Sequence, residues 1–378
     1  MTRPRAVAPR AGVTGLAAYV PAGRMSAAAI AAASGLPEWV VREKLGIQEK
    51  VAPAADDHPA AMGAWAAQEA LARAGVEPGD VDVVISITEE FKEYPVWTAG
   101  IKLAYDIGAT GAYAYDVGQK CGTGVLGLKQ ARDLLRADPE VDTVLVAGGY
   151  RNGDLIDFTD GNVRFMYNLA AGAGAAVVQR EAGHEILASH IVTDGSFSLD
   201  VLVPVGGTVA PMTPERVPDY RLQVTDPAGM KQRLEPKSLD NFVAVVERAV
   251  ERSGATLAEV AYLAMLHVKR SAHRALLQRL GIPEERSIYL EHVGHLGQID
   301  QILSLRLAEE RGMLQPGDLV VLVAAGVGYV WNAVCLRWGE TPAGRPFAGD
   351  GLRGVRPDGA RRAGGRPEGA DGGEGAPA

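Results

Sequence analysis

The chain has very little cysteine. Cys121 and Cys335 are the only two in 378 residues, too few for a disulfide framework, and neither stands in a Cys-x-x-Cys pair that would suggest zinc or thiol redox chemistry. A reducing, cytoplasmic setting is therefore expected. Positive charge is not in excess either, since the net charge is -8, and no electrostatic footprint for nucleic acid exists. Runs approaching the roughly 20 apolar residues of a membrane span are missing. Residues 1–10 carry Arg3, Arg5 and Arg10, but no apolar core of a signal peptide follows before the strand-like run at 12–20. What is present, 47% hydrophobic and 22% charged residues, is the composition of a globular protein acting on small molecules.

The segment 341–378 is built almost wholly of Gly, Ala, Pro, Arg, Asp and Glu, with too little apolar surface to offset the entropy of ordering, and is expected to be a disordered tail. Before it, short β-rich runs alternate with helical patterns, which is the mark of a layered α/β architecture. One order of elements occurs twice. In the first half, strands at 81–87 and 113–117 lead to the turn Gly118-Gln119-Lys120-Cys121-Gly122, a helix to about 136, and strands at 141–149 and 173–179. In the second, strands at 262–267 and 287–291 lead to the turn His292-Val293-Gly294-His295, a helix to about 311, and strands at 318–326 and 330–338. Such a duplication divides the chain into halves at 11–180 and 181–340. It sets the turns of Cys121 and His295 face to face across a pseudo-twofold axis.

These residues resemble a known family. Gln119-Lys120-Cys121-Gly122-Thr123-Gly124 before a helix looks like the nucleophile turn of ketoacyl synthase III, in the thiolase superfamily. Gly172 to Val178, Leu266-His267-Val268-Lys269-Arg270 and Gly326-Val327-Gly328-Tyr329-Val330-Trp331 are similar to its mid-chain strand, first catalytic histidine and C-terminal glycine loop. The resemblance spans about 13–338. It implies a thiolase-like fold with layers α-β-α-β-α, a twofold homodimer, and no permanently bound cofactor or metal. Coenzyme A or acyl-carrier-protein thioesters would be the substrates, in fatty acid, polyketide or other secondary metabolite synthesis.

A cysteine at a helix N-terminus is a natural acyl acceptor, because unpaired N–H groups and the helix dipole favour thiolate. Cys121 takes that role, whereas Cys335 lies in an apolar strand pattern and reads as core. Condensation also needs donors to polarise a thioester oxygen and stabilise an enolate. His267 and His295 are the candidates, with His273 read as a solvated helix residue and His292 left open. The family ordinarily has asparagine where His295 stands; Cys-His-His is the set of the elongating ketoacyl synthases. Glu89, in Ile87-Thr88-Glu89-Glu90, resembles the catalytic glutamate of 3-hydroxy-3-methylglutaryl-CoA synthases and would serve an aldol-type route. Its plain alternative is a strand-end charge reaching solvent or pairing with Lys92.

For coenzyme A, Trp39 and Lys44 resemble the family's adenine-stacking segment, and Arg151 and Arg164 are further candidates for phosphate. Asn152, Asp154, Asp157 and Asp160 form a polar loop without an assigned role. The leading expectation is a condensing acyltransferase acting through Cys121. Transfer to oxygen or nitrogen, and a non-catalytic partner of an active condensing enzyme, are the alternatives.

Overall fold

Runs that are apolar on both faces become strands buried on both sides, and they set the layers of this protein. The computed structural model describes residues 9–340; the segment 341–378, expected as a tail, lies outside the described residues. The main sheet comprises β1 (Ala11–Tyr19), β2 (Val83–Ser86), β3 (Tyr113–Asp116), β4 (Thr143–Tyr150), β5 (Gly172–Arg180), β6 (His184–Thr193), β7 (Val260–Met265), β8 (Leu319–Gly326) and β9 (Val330–Arg337). Its order is β7-β8-β9-β6-β1-β5-β4-β2-β3.

The duplication is written in the pairing. β2 runs parallel to β4, β4 antiparallel to β5, and β5 antiparallel to β1. In the same way β7 is parallel to β8, β8 antiparallel to β9, and β9 antiparallel to β6. The two blocks meet where Gly12 and Val13 pair with Glu185 and His184.

Against these strands pack α1 (Pro59–Ala74), α2 (Ala99–Ile107), α3 (Thr123–Ala137), α4 (Ser238–Arg252), α5 (Arg270–Leu280) and α6 (Asp300–Glu310). Val144 and Val146 of β4, and Val320 and Leu322 of β8, join one core with Val125, Leu128 and Leu135 of α3 and Leu303 and Leu307 of α6. The alternating neighbours turn outward. Leu145 and Ala147 reach the core of α1 and α2, and Val321 and Val323 that of α4 and α5. The layers are therefore outer helices, strands, the central pair α3 and α6, strands, and outer helices, as the expected α-β-α-β-α fold requires.

One expected element is corrected. Residues 287–291 form no strand, because side chains take backbone groups on both sides of the would-be pairing: the Ser287 hydroxyl donates to the Leu263 carbonyl of β7, and the Ile288 N–H donates to the Tyr262 hydroxyl. The second block thus lacks a counterpart of β3. In the first block β3 is an edge strand; Tyr113 on it, and Ile101 and Tyr105 on α2, are exposed.

Candidate active site

Lys120, Cys121 and Gly122 form a single 3-10 turn between β3 and α3. Two elements hold it. The Thr123 hydroxyl accepts the Gln119 N–H at 2.8 Å and donates to the Lys120 carbonyl at 2.6 Å, closing the turn from within. From β9, Asn332 Nδ2 donates to Gln119 Oε1 at 2.8 Å and to the Gly122 carbonyl at 2.9 Å. The glycine at 124 is a matter of contact, since a Cβ there would stand 2.3 Å from the carbonyl oxygen of Gln298, just beyond the second turn. The two turns therefore touch, as the duplication predicts.

His295 is fixed by its backbone, whose N–H donates to Asn168 O at 2.8 Å and whose carbonyl accepts the Ala170 N–H at 2.9 Å. Its Nε2 then lies 3.1 Å from Cys121 Sγ. On the other side of the ring, Nδ1 lies 2.5 Å from Asp300 Oδ2. That fully buried carboxylate also accepts the His267 N–H at 2.6 Å and the Leu296 N–H at 2.7 Å. Burial by itself would push the His295 pKa down, but the Asp300 carboxylate and the Cys121 sulfur outweigh it and hold the imidazole well above its ordinary value.

His267 contrasts with it. The ring is buried, and neither nitrogen has a hydrogen-bond partner among the described residues. Burial pushes its pKa down to about 3 against the pull of Asp300, so it is a neutral imidazole. Unpaired buried nitrogens are costly. A substrate oxygen would satisfy one of them.

Glu89 is 5% exposed, and the reading of it as a charge at the surface or paired to Lys92 is overturned. Lys92 pairs with Asp116 at 2.5 Å, and Lys120 takes Glu90. Burial raises the Glu89 pKa to about 7, opposed by Lys120 and His295 and reinforced by Glu90.

Other candidates fall away from this cluster. His273, read as solvated, is buried with its ring edge-on to Tyr289, because α5 turns that face to the core. His292 is exposed near Glu49. Cys335 is fully buried, and burial pushes its thiol up to about 11. Trp39 is half exposed with Lys44 Nζ 6.0 Å over its ring, and Arg164 is exposed. Arg151 instead donates to the Ala54 and Asp57 carbonyls and pairs with Asp154, so its guanidinium is spent on the fold. Asp157 and Asp160 accept backbone N–H groups within their own loop. Sequence reasoning missed Asp300, Asn332 and Asn168. Of these only Asp300 had a signal, as an acid five residues beyond His295 at a helix start.

The family model of 3-oxoacyl-[acyl-carrier-protein (ACP)] synthase III matches residues 115–195, and that of its C-terminal part matches 250–338. The β-ketoacyl-[acyl-carrier-protein] synthase III of Syntrophomonas wolfei is 31% identical over 310 residues, covering 80% of this chain and 90% of that one. The chain belongs to the 3-oxoacyl-[acyl-carrier-protein] synthase III family. It is accordingly a condensing acyltransferase with a thiolase-like fold. Among solved structures, the synthase III of Pseudomonas aeruginosa PAO1 superposes with a TM-score of 0.76 at 24% identity, over 88% of this chain and 99% of that one. The priming β-ketosynthase of the R1128 polyketide pathway does so with 0.75 at 22%, over 90% and 100%.

Proposed function

We propose that Cys121 accepts an acyl group from a coenzyme A or acyl-carrier-protein thioester and passes it to the carbanion of a malonyl thioester. The observation that carries this reading is Cys121 Sγ at 3.1 Å from His295 Nε2 at the start of α3, in a cluster with a neutral His267 whose ring is unpartnered. The thiolate attacks the thioester carbonyl and the carrier thiolate leaves. The second thioester's oxygen then takes N–H donors from His267 and His295, which stabilise the enolate formed as carbon dioxide departs. That enolate attacks the acyl carbonyl, and Cys121 leaves as thiolate. Trp39 and Lys44 suit an adenine and phosphate at the surface.

A second reading is favoured by Glu89, whose pKa of about 7 suits a general base. Proton abstraction from an acyl thioester would then replace decarboxylation. Exposed Tyr113 on the β3 edge, with exposed Ile101 and Tyr105 on α2, supports a twofold homodimer through that edge. Two free cysteines are in keeping with a reducing cytoplasm.

Intact mass after incubation with a thioester panel tests the reading, together with carbon dioxide release from malonyl donors. An adduct is expected on the native chain and none on Cys121→Ala. Undiminished loading of that variant, or no adduct with any thioester, overturns it.

A further inference from the structure

We propose that Asp300 is a positioning residue that keeps His295 protonated through both halves of the reaction, first beside the Cys121 thiolate and then beside the enolate. The proposal deepens the reading of Cys121 as acyl acceptor and rests on it.

The geometry leaves few alternatives. A carboxylate accepts hydrogen bonds and donates none, and Asp300 Oδ2, 2.5 Å from His295 Nδ1, therefore requires the proton on that nitrogen. The other nitrogen, Nε2, is left facing Cys121 Sγ. Asp300 cannot swing away, because the backbone N–H groups of His267 and Leu296 occupy the same carboxylate. One side chain thus sets the orientation of His295 and ties the segment carrying His267 to it. Without Asp300, the His295 ring is free to place either tautomer toward the sulfur.

The charged groups facing His295 fit a cation there. Asp300 and Cys121 favour it, and Glu89 lies close enough to interact. Tyr150 packs with its ring centroid 6.0 Å away, and His267 stays neutral. The proton accounting closes. The Cys121 S–H bond breaks and the Nε2–H bond forms once, before the first turnover. The thiolate bonds to the acyl carbon while the carrier sulfur departs with its electron pair. Nε2–H is still in place for the enolate oxygen when the carboxylate of the malonyl group leaves as carbon dioxide. Attack of the enolate on the acyl carbonyl expels Cys121 as thiolate, which restores the starting pair.

The test is the pH profile of Cys121 alkylation by iodoacetamide, read by mass, in the native protein and in Asp300→Asn. The native rate is expected to stay nearly level down to about pH 6, as for a thiolate paired with imidazolium. The variant is expected to match it at pH 9 and fall on the order of 10²-fold below it at pH 6, as a thiol without a charged partner does. Loss of packing alone would lower the melting temperature and slow alkylation equally at every pH. A folded Asp300→Asn protein with the native profile overturns the proposal. Should that variant not fold, Asp300→Ser, whose hydroxyl is able to accept a backbone N–H, replaces it under the same criterion. An ordinary thiol profile in the native protein overturns the proposal as well. Level native alkylation without acylation by any thioester would instead remove the acyl-acceptor reading and leave the ion pair standing.

Discussion

Replacing Glu89 by glutamine separates the two carbanion routes, and it also carries a stability signature that follows from burial. The folded carboxyl holds its proton to about pH 7, whereas an unperturbed glutamate loses it near 4.5. A raised acid binds more protons folded than unfolded between those values, so its contribution becomes less favourable as pH rises through the window. At about 1.36 kcal/mol per unit, the penalty is about 1.4 kcal/mol at pH 5.5 and about 3.4 kcal/mol at pH 8.5. Glutamine does not titrate. The stability of Glu89→Gln relative to the native chain should therefore improve by about 2 kcal/mol between pH 5.5 and 8.5, an order-of-magnitude figure. Urea unfolding at the two pH values measures it, and the value of about 7 already contains the pulls of Lys120, Glu90 and His295. An unchanged difference would mean that these neighbours keep Glu89 ionised, and the argument from burial fails. The same protein reports on chemistry. It should load Cys121 and still release carbon dioxide and condense if the histidines drive the reaction; loading without carbon-carbon bond formation would assign the base role to Glu89.

Cys335→Ala should leave acyl loading untouched and cost at most about 1 kcal/mol of stability in thermal unfolding, as a small core truncation; lost activity in a stable variant would refute its assignment to the core. Gly124→Ala places a Cβ 2.3 Å from a carbonyl oxygen across the two turns, and should cost about 1–3 kcal/mol together with slower loading of Cys121. Native stability and rate in that variant would refute the close approach. Sedimentation at micromolar concentration should give a dimer, and a dimer that dissociates on Tyr113→Lys would place the contact at the β3 edge. A monomeric native chain would refute it.

The layered fold was legible in the sequence because each strand of the interior carries apolar residues on both faces, and because strand, glycine turn, helix and strand recur in one order. Cys121 was legible for the same reason, as a nucleophile type at a strand-to-helix turn with glycines on either side, and His295 as its repeat-related partner. Local pattern failed where side chains overrode it. Residues 287–291 have strand composition, yet the Tyr262 hydroxyl takes the Ile288 N–H and the Ser287 hydroxyl takes the Leu263 carbonyl. His273 sits at a position that looks solvated until α5 is packed against Tyr289. The protonation of the site belonged to the tertiary structure alone. The Glu89 carboxyl is raised to about 7, and the His267 imidazole is pushed down while that of His295 is held up, only through burial and the placement of Asp300. Sequence spacing fixes which residues stand on which turn, but desolvation and a shared carboxylate depend on segments that meet only when the two halves close on each other.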